Sequence, residues 1–410
     1  MKTKLILLIF SLALLAMGTS VQAQDILEGY LVFGAENNPG LKAKFQEYQS
    51  ALEKVPQASS LPDPLFTFGY FVSPVETRVG PQRAKFSLMQ ALPWFGTLNA
   101  RKSAAEAGAE VKFESFIKSR NDYFLKVRLA YYDLYELEQS IRISEENLEI
   151  LNTREKVVIK KYEGGLASMV DVLRVQMMIT ELVTNIQILK EDRIDQKEIF
   201  NLLLNKGATE QVEVDFQLLF PETDYLINKD SLYRNPAITS IEAQKKAELK
   251  WLEVDKYISK PNIGFGLDYV VVGPAISDIP GSGKDVLMPM VNLSLPIYGK
   301  KNKSRIRERE LKLESLDSYR QDLQNKLESE LISAHNAYED SERKFVLYIE
   351  LTEKADQALR VLVTEYTSAN IGFEEVLRMQ QLLLEYELAL EKSVVKRFKA
   401  EARLNFIFNK

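Results

Sequence analysis

Few side chains in this sequence are equipped for covalent or metal chemistry. There is no cysteine and one histidine, His335, so thiolate nucleophiles, disulfides and Cys/His metal clusters are excluded. His335 lies in a long helical tract at the repeat position of Tyr131, where a packed or surface imidazole is the plain reading. Met288 and Met290 stand two apart on an alternating segment and offer thioether sulfurs that suit soft metals, although packing on one strand face is the simpler account. Carboxylates are abundant, but on helical tracts they read as solvated faces. No catalytic constellation emerges, so neither enzymatic activity nor a cofactor is expected. The acidic residues in a distinctive setting are Asp171, Glu374 and Glu375, each just after a chain reversal, with Arg378 a turn further on.

The elements that carry these residues begin after an apolar leader. Lys2 and Lys4 precede an apolar run from Leu5 to about Met17, and Val21-Gln22-Ala23 is a small-residue cleavage pattern, so residues 1–23 are expected to be a secretory signal peptide. A transmembrane anchor is the alternative, but the run is short for a bilayer crossing. The formal charge of −5 falls to −7 when Lys2 and Lys4 leave with the leader. Basic and acidic residues are interspersed, which argues against a nucleic-acid partner. No later run is long and apolar enough for a membrane helix, which leaves strands as the way to cross a membrane.

All fourteen prolines fall at or before Pro296, and none lies between Pro93 and Pro221. Within the first proline-free tract Val127, Leu134, Ile141, Leu148, Leu151 and Val158 recur at helical steps; in the second Leu327, Leu331, Ala334, Ala355 and Leu359 do so. These coiled-coil-like seams predict long helices over 97–163 and 300–368, each of about 100 Å at 1.5 Å per residue. Shorter helices follow at 168–205 and 373–408, and others precede the strands at 25–56 and 236–259.

The sequence also repeats itself. Leu92-Pro93-Trp94-Phe95-Gly96 answers Leu295-Pro296-Ile297-Tyr298-Gly299, and Tyr162, Asp171, Val172, Leu173 and Gln176 answer Tyr366, Glu375, Val376, Leu377 and Gln380. Ordered matches at a nearly constant offset imply duplication: a first repeat over 24–208, a linker over 209–234 and a second repeat over 235–410. Each repeat carries two alternating segments before its long helix, at about 64–72 and 84–92, then 261–272 and 286–297. The polar connections Ser73 to Arg83 and Gly273 to Asp285 make each pair a hairpin.

A strand of nine to eleven residues can span a bilayer. Phe66, Phe68, Tyr70, Phe265, Leu267 and Tyr269 alternate with Thr67, Lys85, Asn262, Gly264, Gly266 and Asp268, as lipid-facing and lumen-facing residues of a transmembrane barrel do. Four strands are too few to close a barrel, so several chains must share one. A soluble antiparallel sheet is the other arrangement that alternation permits. The chain offers no further apolar layer to cover such a sheet, and the leader directs it out of the cytoplasm.

The duplicated exit turns LPWFG and LPIYG and the reversal motifs KKYEGGLASMVDVLRVQ (160–176) and TEYTSANIGFEEVLRMQ (364–380) resemble the TolC-like outer membrane efflux proteins, across essentially the whole mature chain. That resemblance implies a membrane α+β fold. Three chains would share a twelve-stranded barrel in the outer membrane of a Gram-negative cell, continued by a coiled-coil tunnel into the periplasm. It implies a passive channel of a tripartite efflux system, a homotrimer that meets outer membrane lipid, a periplasmic adaptor (membrane fusion protein) and an inner-membrane transporter. The cargo would be small toxic molecules, drugs or metal cations. A type I secretion duct, or a periplasmic coiled-coil adaptor or scaffold, is the alternative. By the same resemblance Tyr366, Asp171, Glu374, Glu375 and Arg378 belong to the periplasmic gate, while Gly164, Gly165 and Leu166, with Ser368, Ala369 and Asn370, are the reversals an adaptor contacts. Two positions depart from the pattern: Arg378 stands where a second aspartate is usual, and Ile371 replaces a latching arginine.

Overall fold

The computed structural model describes residues 26–215, 229–276, 280–368 and 371–409; the expected leader and part of the expected linker lie outside them. The first repeat opens with α1 (Ile26–Asn37), α2 (Pro39–Leu52) and α3 (Lys54–Ser59). One helix over 25–56 is therefore replaced by three. The first break falls at Asn38, because Pro39 has no N–H to continue the ladder and instead opens the next helix. The first hairpin is β1 (Leu65–Thr77) and β2 (Gly80–Leu92), followed by α4 (Thr97–Glu163) and α5 (Met169–Leu203). After a short 3-10 turn the second repeat runs through α6 (Pro236–Ile258), β3 (Asn262–Val272), β4 (Val286–Ser294), α7 (Gly299–Thr367) and α8 (Phe373–Phe408). The seam residues Val127, Leu134 and Val158 on α4 are fully buried, and Leu331 and Ala334 on α7 are buried.

The strands form one antiparallel sheet in the order β1-β2-β3-β4. The central pair, β2 with β3, joins the two repeats: Ser87 stands opposite Asp268 and Leu88 opposite Leu267. The first hairpin is longer than the sequence suggests, because only Arg78 and Val79 separate its strands rather than all of Ser73–Arg83. A register shift between Tyr70 and Val75 coincides with Pro74, whose missing N–H cannot donate to the ladder. Gly80 turns the hairpin at φ 128°, and a Cβ there would stand 1.9 Å from the Gly273 carbonyl oxygen, so no other residue fits. β4 ends at Ser294, before Pro296, rather than at residue 297.

The chain divides into two compact units, each drawn from both repeats. One contains α1, α5, α4 from Tyr123, α7 from Ala334 and α8 to Arg403; its core gathers Leu151 and Val158, Val172 and Val175, Leu359, Phe373 and Val376 from four helices. The other contains α2, α3, the sheet, α6, the first parts of α4 and α7 and the last turns of α8. There Asn235 caps α6 by accepting the Ala237 N–H at 2.9 Å, and its amide donates to the Ile407 carbonyl at 3.0 Å. In this second unit Asp255 is buried and accepts from Arg309 Nε at 3.0 Å, while Arg309 Nη1 also donates to Glu248 at 2.7 Å. Arg305 completes the cluster, 3.6 Å from Asp255. Removing one member of a buried ionic network strands the others, at about 3 kcal/mol. Asp255→Ala should accordingly lower the melting temperature by several degrees in circular dichroism, more than Glu253→Ala on the exposed side of the same helix.

Candidate functional site

Two places in the fold hold the residues nominated by sequence. On the sheet, the register separates two faces. One carries Phe66, Phe68, Tyr70, Phe86, Leu88, Phe265, Leu267, Tyr269, Leu287 and Val291; the other carries Thr67, Lys85, Ser87, Met89, Asn262, Gly264, Gly266, Asp268, Met288 and Met290. The apolar face is exposed: Phe68 is 56% exposed, Tyr70 69% and Val291 69%. Its aromatic rings touch across strands, with Phe86 centred 5.0 Å from Phe68 and 6.4 Å from Tyr269. On the polar face Asp268 is fully buried and forms an ion pair with Lys85 on the neighbouring strand. At the strand exits Phe95 and Tyr298 are more than four-fifths exposed, where a bilayer-spanning sheet carries its aromatic girdle. A soluble sheet has the opposite polarity, since burial drives apolar side chains inward.

The second place is the pair of helix reversals, both in one compact unit. The first is built from local rules. Gly165 adopts φ 73° after α4, the Leu166 N–H donates to the Lys161 carbonyl at 2.7 Å and the Gly165 N–H to Tyr162 at 2.9 Å, which closes the helix in a Schellman motif. Ser168 then caps α5: its Oγ accepts the Asp171 N–H at 3.2 Å and its own N–H donates to the Asp171 carboxylate at 3.0 Å. Asp171 is thereby spent on a capping box. The second reversal has no glycine cap: the Ser368 N–H donates to the Thr364 carbonyl at 3.2 Å, and α8 starts at Phe373. Ala369 and Asn370 lie outside the described residues.

Side chains link the two reversals. Lys161 donates to the Tyr366 carbonyl at 2.9 Å and sits 3.7 Å from the Tyr366 ring centroid, while that ring is centred 4.9 Å from Phe373. Burial, with the charge of Asp171 adding to it, pushes the Tyr366 hydroxyl pKa up. Glu374 pairs with Arg174 on α5 at 2.6 Å, and Glu375 with Arg378 at 2.6 Å. Each nominated carboxylate thus has a partner within the chain. Ile371 packs against the apolar core.

No protein-family model matches the chain, and no curated protein matches it. Solved structures do. The outer membrane protein VceC of Vibrio cholerae superposes with a TM-score of 0.77 at 16% identity, over 93% of this chain and 95% of that one. CusC, described by its transmembrane channel formation, gives 0.79 at 14%, over 95% and 92%. The outer membrane channel MtrE of Neisseria gonorrhoeae gives 0.75 at 15%, over 93% and 88%. This is the TolC-like outer membrane channel fold. The expectation drawn from the exit turns and reversal motifs holds at the level of fold.

Within the channel fold, three contributions escaped the sequence reading. Arg174 is the repeat mate of Arg378 in VLRVQ and VLRMQ, a duplication that could have flagged it. Lys161 carried no such signal. The third is a polar layer in the helical core: Gln380 Nε2 donates to Asn147 Oδ1 at 2.9 Å with both side chains buried, and Asn147 Nδ2 approaches Glu387 at 3.5 Å. Burial pushes the Glu387 pKa up, with the charges of Glu146 and Asp356 adding to it. The neutral form is therefore favoured more in the folded chain than in the unfolded one. Its stabilisation is complete below the ordinary glutamate value of about 4.3 and fades as pH rises through the raised value. Glu387→Gln keeps the shape without the charge, so it should raise the melting temperature at pH 8 and leave it unchanged at pH 4. An equal shift at both would remove the carboxyl from that role.

Proposed function

We propose that the chain is one subunit of a homotrimeric outer membrane channel that passively releases small toxic molecules, drugs or metal cations from the periplasm of a Gram-negative cell. The observation that carries this reading is the inverted sheet: an exposed apolar face, a polar and glycine-rich opposite face, and only four strands among the described residues. In hydrocarbon every backbone N–H and C=O must be paired, so a spanning sheet has to close on itself. Single-chain barrels begin at eight strands. Three copies of β1–β4 joined edge to edge make a barrel of about twelve, and the long helices then continue it as a periplasmic tunnel.

Phe66, Phe68, Tyr70, Phe265, Leu267 and Tyr269 would meet lipid, whereas Thr67, Lys85, Asn262, Gly264, Gly266 and Asp268 would line the pore. The reversals form the entrance. There the Gly164-Gly165-Leu166 turn, with Leu166 three-quarters exposed, and the Ser368-Ala369-Asn370 turn are the surfaces offered to a periplasmic adaptor coupled to an inner-membrane transporter. Tyr366, Asp171, Glu374, Glu375 and Arg378 make up the gate. Because Arg174 and Arg378 balance Glu374 and Glu375, its acidic character is muted, and opening requires the helices to separate rather than merely a cation to bind. The solved proteins of this fold, described as outer membrane proteins and channels, support the reading.

The decisive experiment contrasts the two sheet faces. A charge moved onto the lipid face costs on the order of 2 kcal/mol per chain, so Phe265→Asp should abolish the heat-resistant oligomer and the membrane fraction. At Gly266 a new Cβ meets the flexible ends of Met290 and Met89, 3.3 Å and 3.6 Å away, and the Leu88 carbonyl oxygen at an ordinary contact distance of 3.4 Å, so Gly266→Asp should assemble and change single-channel conductance. Equal tolerance of both substitutions would leave the sheet outside the membrane.

A further inference from the structure

On the polar face of the sheet, Met89 of β2 and Met290 of β4 stand opposite Gly266 from its two sides. Glycine puts nothing between them: a Cβ there would lie 3.3 Å from the Met290 methyl and 3.6 Å from the Met89 methyl. The methyl ends of both side chains thus reach over one spot. Strands about 4.8 Å apart place the two backbones roughly 10 Å from each other, a gap that two methionine side chains bridge from either end. Met288 adds a third sulfur on the same face, opposite Asp268. Asn292 Nδ2 donates to Met89 Sδ at 2.9 Å, which orients that sulfur and leaves its other lone pair available. Methionine ordinarily fills gaps in a core, but Met288 is 42% exposed, and there is no core for it to fill. The sequence alone shows Met288 and Met290; only the pairing of the two repeats brings in Met89.

We propose that Met89, Met288 and Met290 form a thioether site for a soft monovalent cation, Cu(I) or Ag(I). Polarizable neutral sulfurs select such ions over Zn(II), which prefers imidazole, thiolate or carboxylate. The Asp268 carboxylate nearby is already neutralised by Lys85, so the site discriminates by softness rather than by charge. Its geometry follows from strand register; its place on an export path rests on the channel reading above.

The test is titration of the purified full-length protein in nonionic detergent with silver nitrate in chloride-free buffer, followed by calorimetry and by X-ray absorption at the silver edge. One Ag(I) per chain with sulfur neighbours is expected. The volume-conserving Met89→Leu or Met290→Leu should weaken it at least about tenfold, with Zn(II) giving no signal at the same positions. Met169, Met177, Met178 and Met379 remain in these variants as an internal control. Absence of Ag(I) binding, or binding that survives Met89→Leu/Met288→Leu/Met290→Leu, overturns the site. Bilayer recordings of the same preparation separate the two readings: a conducting trimer that ignores Ag(I) loses only the thioether site, whereas Met-dependent Ag(I) binding by a protein that never conducts loses only the channel.

Discussion

An antiparallel sheet with two free edges and its apolar face outward has no stable home in water, and in lipid it has only one. Every unpaired N–H or C=O placed in hydrocarbon costs several kcal/mol, so in the proposed channel β1 and β4 would find partners on other chains. That requirement connects the rest of the molecule. On that proposal it would make oligomerisation a condition of membrane insertion, and it would turn the face that carries glycine, asparagine and the Lys85–Asp268 pair away from lipid. The two repeats meet at β2 and β3, the central seam of the sheet.

At the other end of the helices, duplication has been followed by divergence. The first reversal is closed by glycine geometry and a capping box, so its conformation is set by residues 161–171 alone. The described residues flanking the second are tied to the first and to each other: Lys161 against Tyr366, Arg174 against Glu374, and the Tyr366 ring against Phe373. Residues of the first reversal thus brace the helix ends that flank the second. Exposed ion pairs contribute little individually, so this bracing relies mainly on the shared apolar core. The buried Asn147–Gln380 pair lies within that helical packing. A polar pair in an apolar interior favours the one alignment in which both amides are satisfied.

Much of this was legible along the chain. The proline-free tracts predicted α4 and α7 because a 3.6-residue period sustained over so many turns has no other solution. Alternation placed all six expected lipid-facing residues on one face and all six expected pore residues on the other, since side chains in a strand can point only two ways. Local rules failed where a neighbour overrode them. Pro74 read as a loop residue until a register shift accommodated it, and the Glu374 carboxylate had no partner in the sequence reading until Arg174, two hundred residues away, was found beside it.

Sequence by itself thus determined periodicity, punctuation and duplication: which segments are helix or strand, where they reverse, and which side of each strand is apolar. These depend on residues a few positions apart, whose interactions any local stretch already contains. Tertiary structure alone decided what meets across long separations: β2 on β3, Met89 beside Met290 over Gly266, Gln380 on Asn147 and Arg174 on Glu374. Such contacts carry no periodic signature, because they arise only when elements some two hundred residues apart settle into one register.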